Sequence, residues 1–165
     1  MRSLTPQPPE WIDTAAVQAD ATREVAATPD EVFAALADHE TWPEWFTALS
    51  KVERFGELHE GVGSNRRVHI GSKVSIEEEF NIWEPGQAWG FTIIAASIPG
   101  LRSMNERVTI EAVGTDRSRV TYLMGIDPQP WLRPLVVLAR RRLTKELSAA
   151  LEGLDAHIAR SRHSA

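Results

Sequence analysis

Three side chains in this sequence are of the types that proton chemistry needs, and their spacing puts them on one surface. Glu78 and Glu106 can act as general acid or base, and Tyr122, the single tyrosine, can donate a hydrogen bond or a proton. Each lies in a segment of alternating polar and apolar residues, the period of a half-buried strand. Pairing across the turn Glu84-Pro85-Gly86-Gln87 sets Ile82 opposite Trp89, Phe80 opposite Phe91 and Glu78 opposite Ile93, with Ile76 on the same face. A second hairpin closes at Gly114-Thr115-Asp116-Arg117-Ser118. In it Val108, Ile110, Val120, Tyr122 and Met124 share a face, and Met104 and Glu106 have the same parity. The opposite faces carry Ser75, Glu77, Glu79 and Asn81 on one hairpin and Asn105, Arg107, Thr109 and Glu111 on the other, and are expected to meet water.

Two carboxylates therefore stand on an otherwise apolar face. A buried carboxylate costs several kcal/mol unless it is paired or protonated. Two placements are open. Either the glutamates line a cavity, where they bind a hydroxyl or move a proton, or they sit at strand ends, in solvent or paired with arginine. Tyr122 is likewise a cavity donor or a core tyrosine whose hydroxyl reaches the rim. Trp42, Trp45 and Trp89 can form aromatic walls or plain core, in a chain with six tryptophans.

Other chemistries lack their residues. There is no cysteine, which excludes disulfides, thiolate metal sites and cysteine nucleophiles. The histidines, His39, His59, His69, His157 and His163, form no close ligand pair, so no metal is expected. No nucleophile elbow, phosphate-binding glycine loop or dinucleotide fingerprint occurs, and no cofactor is expected. A net charge of −5 argues against sequence-independent nucleic-acid binding. No segment is apolar for long enough to span a membrane, and the first ten residues do not read as a signal peptide, so a cytoplasmic protein without integral membrane association is expected. Arg140, Arg141 and Arg142 form a basic cluster, read either as a solvated helix face or as a weak signal for an anionic membrane surface.

The elements that position these residues follow from period and punctuation. Prolines at 6, 8 and 9 predict a loose N-terminal arm over 1–13, pinned at its end by Trp11 and Ile12. An extended segment runs from Thr14 to Ala27. Thr28-Pro29-Asp30-Glu31 then predicts a capped helix start, and Pro43 to Leu49 a second short helix. From Lys51 to Asp127 the period is two, in about six strands. After Pro130 it becomes helical: Leu132, Leu135, Val136, Ala139, Leu143, Leu147, Leu151, Leu154 and Ile158 step by threes and fours along one amphipathic helix roughly 40 Å long. Gly153 is expected to weaken that helix locally. The chain thus reads as an α+β helix-grip fold: a curved antiparallel sheet of about seven strands around a long C-terminal helix, with two short helices after the first strand. One domain over 14–160 is expected, followed by a tail at 161–165.

Four motifs resemble those of the START-like (SRPBCC) superfamily in its bacterial polyketide cyclase/dehydrase branch. They are Glu24-Val25-Ala26-Ala27-Thr28-Pro29-Asp30-Glu31-Val32-Phe33, Asp38-His39-Glu40-Thr41-Trp42-Pro43-Glu44-Trp45, Trp83-Glu84-Pro85-Gly86-Gln87-Ala88-Trp89, and the hairpin from Gly114 to Tyr122. The resemblance covers roughly Thr14 to Arg160 and implies the same fold. It implies a hydrophobic small molecule as partner, a lipid or polyketide, bound or carried between sheet and helix. On the sheet the expected walls are Phe80, Trp89, Phe91, Ile93, Val108, Ile110, Tyr122 and Met124; Trp45, Leu143 and Leu147 close the other side. The alternatives are an aromatase/cyclase-like enzyme of aldol cyclisation or dehydration using Glu78, Glu106 or Tyr122, and a protein-interaction module like the chaperone-activating relatives. A monomer and a homodimer are both compatible with the sequence.

Overall fold

The computed structural model describes residues 1–164. In chain order the elements are β1 (Arg2–Ser3), a 3-10 helix (Pro9–Thr14), β2 (Val17–Val25), α1 (Pro29–Ala37), a 3-10 turn (His39–Thr41), α2 (Trp42–Trp45), β3 (Leu49–Phe55), β4 (Asn65–Ile70), β5 (Val74–Glu84), β6 (Ala88–Ala96), β7 (Leu101–Ala112), β8 (Ser118–Pro128) and α3 (Arg133–Ser164). The strands form one antiparallel sheet in the order β2-β8-β7-β6-β5-β4-β3, with β1 added against β6. The sheet's apolar face packs on α3. Leu147, Leu151 and Leu154 are fully buried there, as the stepping of threes and fours requires.

Local sequence explains the turns. Thr28 accepts from the Glu31 backbone N–H while the Glu31 carboxylate accepts from the Thr28 backbone, a reciprocal capping box at the start of α1, with Pro29 in the first helical position. Gly153 has a positive role. A Cβ there would lie 2.0 Å from the Trp45 carbonyl oxygen, so glycine is what lets α3 touch the end of α2.

Three expectations are corrected. The arm is not loose: β6 and β7 pair only from Ala88 to Thr92, and the N-terminal segment fills the gap beyond. Leu4 N–H donates to the Ile94 carbonyl and Thr5 N–H to that of Arg102. Two diverging strand edges need partners, and this segment supplies them. The prolines fall after β1 and at the start of the 3-10 helix, where they cost nothing. As a consequence the sheet's outer face is partly covered. Asn105, expected in water, is buried and donates to the carbonyls of Gln7 and Pro8.

The second correction is a register shift between Phe80 and Ile82, which sets Ile82 opposite Gly90 and Trp83 opposite Trp89. The bulge turns Trp83 inward against Phe33, His39 and Phe80, and takes Ile82 off the pocket face. The third is at the other end of the chain. The expected tail has no separate existence up to Ser164, because α3 continues through it; Arg162 binds the Glu31 carboxylate and the Ala26 carbonyl.

Candidate functional site

Curvature leaves a cavity of about 280 Å³ between the sheet and the first half of α3. Its lining is apolar except for four residues: Arg66, Glu78, Glu106 and Tyr122. Strand register brings these together. Arg66 on β4 is directly opposite Glu78 on β5; Phe91 on β6 is opposite Glu106 on β7; Val108, two residues after Glu106, is opposite Tyr122 on β8. The four therefore form a polar band across the concave face.

Arg66 Nε–H donates to the Glu78 carboxylate, and the Tyr122 hydroxyl donates to Glu106. Both glutamates are inside the cavity, Glu78 at 4% and Glu106 at 9% exposure. Burial pushes the Glu78 carboxyl up, against the pull of the Arg66 guanidinium. Among the described residues the hydrogen-bond partner of the Glu106 carboxylate is Tyr122, not an arginine. Burial of Glu106, then the charge of Glu78, push its pKa up to about 8. Tyr122 is raised well above its ordinary range by burial and by Glu106. At neutral pH Glu106 thus holds a proton it can give or lose.

A guanidinium at 1% exposure needs an explanation, and aromatic rings supply it. Arg66 Cζ lies 4.1 Å from the Trp42 ring centre, 4.9 Å from that of Trp89, 5.2 Å from Phe91 and 5.3 Å from Phe80. Trp42 and Trp89 stack at 5.0 Å, and the Trp42 indole N–H donates to the Leu36 carbonyl. His39 is buried beside this cluster, stacked on Phe80 at 5.0 Å. Its pKa is lowered to about 3, first by burial and then by the charges of Arg66 and Arg54, so the ring is neutral. Arg66 Nη1 is buried with no hydrogen-bond partner among the described residues. Arg66 is at the same time one of the residues that line the cavity.

The expected wall residues divide. Phe91, Tyr122, Met124 and Leu143 line the cavity. Phe80 and Trp89 are buried beneath Arg66 and His39 instead, packing the aromatic cluster that carries the charge. Trp45 packs against Trp42 at 4.4 Å, while Trp42 and Phe46, the residue that caps the end of α2, line the cavity. Ile93 is buried in the core without reaching the wall, and so are Val108 and Ile110, on the stretch of the sheet where α1 packs against β7. Leu147, one turn beyond Leu143, borders a neighbouring cleft under the α2–β3 link. Sequence reasoning missed Arg66. The signal was present: pairing β4 with β5 across Gly71-Ser72-Lys73 puts Arg66 opposite Glu78.

No cluster of three or more metal-ligating side chains occurs among the described residues, and no helix among them is long and apolar enough to cross a membrane.

Comparison with known proteins places this geometry. A family model described as "Polyketide cyclase / dehydrase and lipid transport" matches residues 16–159. An uncharacterized protein of Mycobacterium tuberculosis and one of Mycobacterium bovis are each 31% identical over 133 residues, covering 76% of this chain and 79% of theirs. A START superfamily protein from Mycobacterium smegmatis superposes with a TM-score of 0.72 at 17% identity, over 86% of this chain and 98% of that one. The Zhui aromatase/cyclase of a Streptomyces species gives 0.71 at 18%, over 87% and 94%. Norcoclaurine synthase from Thalictrum flavum, in complex with dopamine and hydroxybenzaldehyde, gives 0.69 at 15%, over 95% of each chain. At these identities the structural likenesses establish the fold.

Proposed function

This chain belongs to the polyketide cyclase/dehydrase and lipid transport family, within the START-like superfamily, and on that premise we propose that it binds a small, mostly apolar molecule whose oxygen sits on the polar band of Arg66, Glu78, Glu106 and Tyr122. The observation that carries this reading is the group of Arg66, Glu78, Glu106 and Tyr122, paired with one another, on the wall of a cavity otherwise lined by apolar side chains. Apolar burial supplies affinity without direction, and a few fixed polar groups supply orientation. The volume bounds the ligand. At a water's share of roughly 30 Å³ per position, about 280 Å³ holds on the order of ten non-hydrogen atoms. That supports a compound of one or two rings, or one end of a longer chain. Native mass spectrometry of protein purified from its own host tests the reading. A retained compound of that size, lost on Arg66→Met, is expected; a protein that retains nothing and binds no aromatic or short-chain carbonyl compound refutes it.

One observation favours a second reading, an enzyme of aldol cyclisation or dehydration. Glu106, poised near neutrality and in contact with the Tyr122 hydroxyl, is suited to proton transfer. On that reading a substrate carbonyl accepts from the Arg66 guanidinium, the ionised fraction of Glu106 takes a proton from the carbon adjacent to it, and the enolate carbon attacks a second carbonyl carbon of the substrate, whose C=O π pair moves to its oxygen as an alkoxide. The proton returns from Glu106 to the alkoxide. Glu106→Gln separates the two readings: it abolishes turnover of a β-keto thioester probe while leaving its binding within a few-fold, whereas a carrier shows no turnover in either form.

A further inference from the structure

The cavity is lined by Leu132, just before α3, and by Val136, Ala139 and Leu143 of that helix. A helix that covers a pocket should be polar on its other faces, and this one is not. Trp131 is 62% exposed, Leu135 60%, Val137 53% and Leu138 80%. The Trp131 ring lies over Gly100, in the β6–β7 turn whose Ile98 lines the cavity. The apolar stretch is followed within one turn by Arg140, Arg141 and Arg142, and then by Lys145, all exposed. Arg133 is exposed within it. From Trp131 to Lys145 there are five cations and no acid, in a chain whose net charge is −5. Arg142 makes one loose pair, at 3.8 Å from Glu146.

We propose that Trp131 and the first three turns of α3 form a docking surface for an anionic lipid bilayer. The apolar tip occupies the boundary between headgroups and acyl chains, where Trp and Leu are favoured, and the arginines reach the phosphates on long flexible stems. Leu138 and Arg141 are about 4.5 Å apart along the helix axis, within the depth of that boundary region. Charge complementarity selects this occupant over a second copy: two copies meeting here would bring five cations against five. The inference does not depend on what the cavity holds, and its test uses no cavity ligand.

The test is co-sedimentation with vesicles of phosphatidylcholine containing 30% phosphatidylglycerol, against vesicles of phosphatidylcholine alone. The full-length protein is expected to bind the anionic vesicles at least tenfold more tightly, with the difference shrinking as salt rises from 50 to 500 mM. Arg140→Glu with Arg141→Glu should weaken binding by roughly 25-fold or more. Leu138→Asp should weaken it at both salt concentrations, and as an exposed position it should leave the melting temperature unchanged. No binding to anionic vesicles at 50 mM salt overturns the proposal, as does unchanged binding by Leu138→Asp. So does a concentration-dependent dimer, dissociated by Leu138→Asp in sedimentation equilibrium, that binds no vesicles: the patch would then join two copies of the chain.

Discussion

Glu106 sets a pH window in which this fold should lose stability, and its substitution should remove that loss. Its carboxyl titrates near 4.5 in the unfolded chain and at about 8 in the native one, chiefly because it is buried and then because Glu78 is near. Between those values the native state holds a proton that the unfolded state has released. Stability therefore falls as pH rises, by about 1.4 kcal/mol per pH unit; the contribution is complete below pH 4.5 and gone by about pH 8. His39 has the opposite sign. Its pKa drops from 6.5 to about 3, so between those values the unfolded state binds the extra proton and stability rises with pH. The two slopes cancel between pH 4.5 and 6.5. Above 6.5 Glu106 acts without that offset, and from there to about 8 the loss is roughly 2 kcal/mol, or about 4–8 °C in melting temperature. Glu78, also raised by burial, adds a slope of the same sign that remains when Glu106 is replaced. Urea unfolding of wild type and Glu106→Gln across this range isolates the Glu106 share, because glutamine keeps the shape and an acceptor for Tyr122. Wild type should lose roughly 2 kcal/mol more than the variant between pH 6.5 and 8. Parallel curves would refute the reasoning, because Glu106 would then already be ionised at neutral pH.

Three further outcomes follow from contacts already described. Arg66→Met leaves Glu78 buried without its partner and should cost about 3–5 kcal/mol, while adding Glu78→Leu to it should restore most of the loss; urea unfolding of both variants reads the difference. Gly153→Ala drives a methyl into the Trp45 carbonyl oxygen and should destabilise by about 1–3 kcal/mol despite alanine's better helix propensity; an unchanged denaturation midpoint would mean that α2 shifts freely. Deleting residues 1–7 removes the bonds from Leu4 to Ile94, from Thr5 to Arg102 and from Gln7 to Thr92, at roughly 1 kcal/mol each, and opens two strand edges. A lower melting temperature with faster aggregation is expected.

The fold was legible because each of its signals is local: a period of two between Lys51 and Asp127, a period of 3.6 after Pro130, and a capping box at Thr28. The parity of Glu78, Glu106 and Tyr122 was legible for the same reason, since each stands in a run that alternates with apolar residues. What was not legible depends on departures from regular register or on contacts distant in sequence. The bulge at Phe80 to Ile82 has no proline or glycine to announce it, so Ile82 read as the partner of Trp89. The N-terminal segment read as loose because its partners, Ile94 and Arg102, lie about ninety residues away. The division of the apolar face between wall and filled core depends on where α1 and α2 sit, and strand alternation carries no information about that.

The polar band is hard to account for as a stabilising device. A buried ion pair is seldom better than two well-packed apolar side chains, and the raised pKa of Glu106 costs stability as pH rises through the neutral range. Aromatic faces lessen the cost of burying Arg66, but its Nη1 still has no partner among the described residues. On the proposed reading these costs become selectivity. A ligand oxygen that accepts from the Arg66 guanidinium offsets part of its burial cost, and one within reach of protonated Glu106 gains a second bond. A purely apolar molecule of the same size recovers neither. An unsatisfied buried donor costs about 1–3 kcal/mol, so an oxygenated ligand should be preferred over its deoxygenated isostere by roughly 5- to 150-fold. Arg66→Met should erase that preference while leaving the apolar part of the affinity, and isothermal titration of the two isosteres against both proteins would show whether it does.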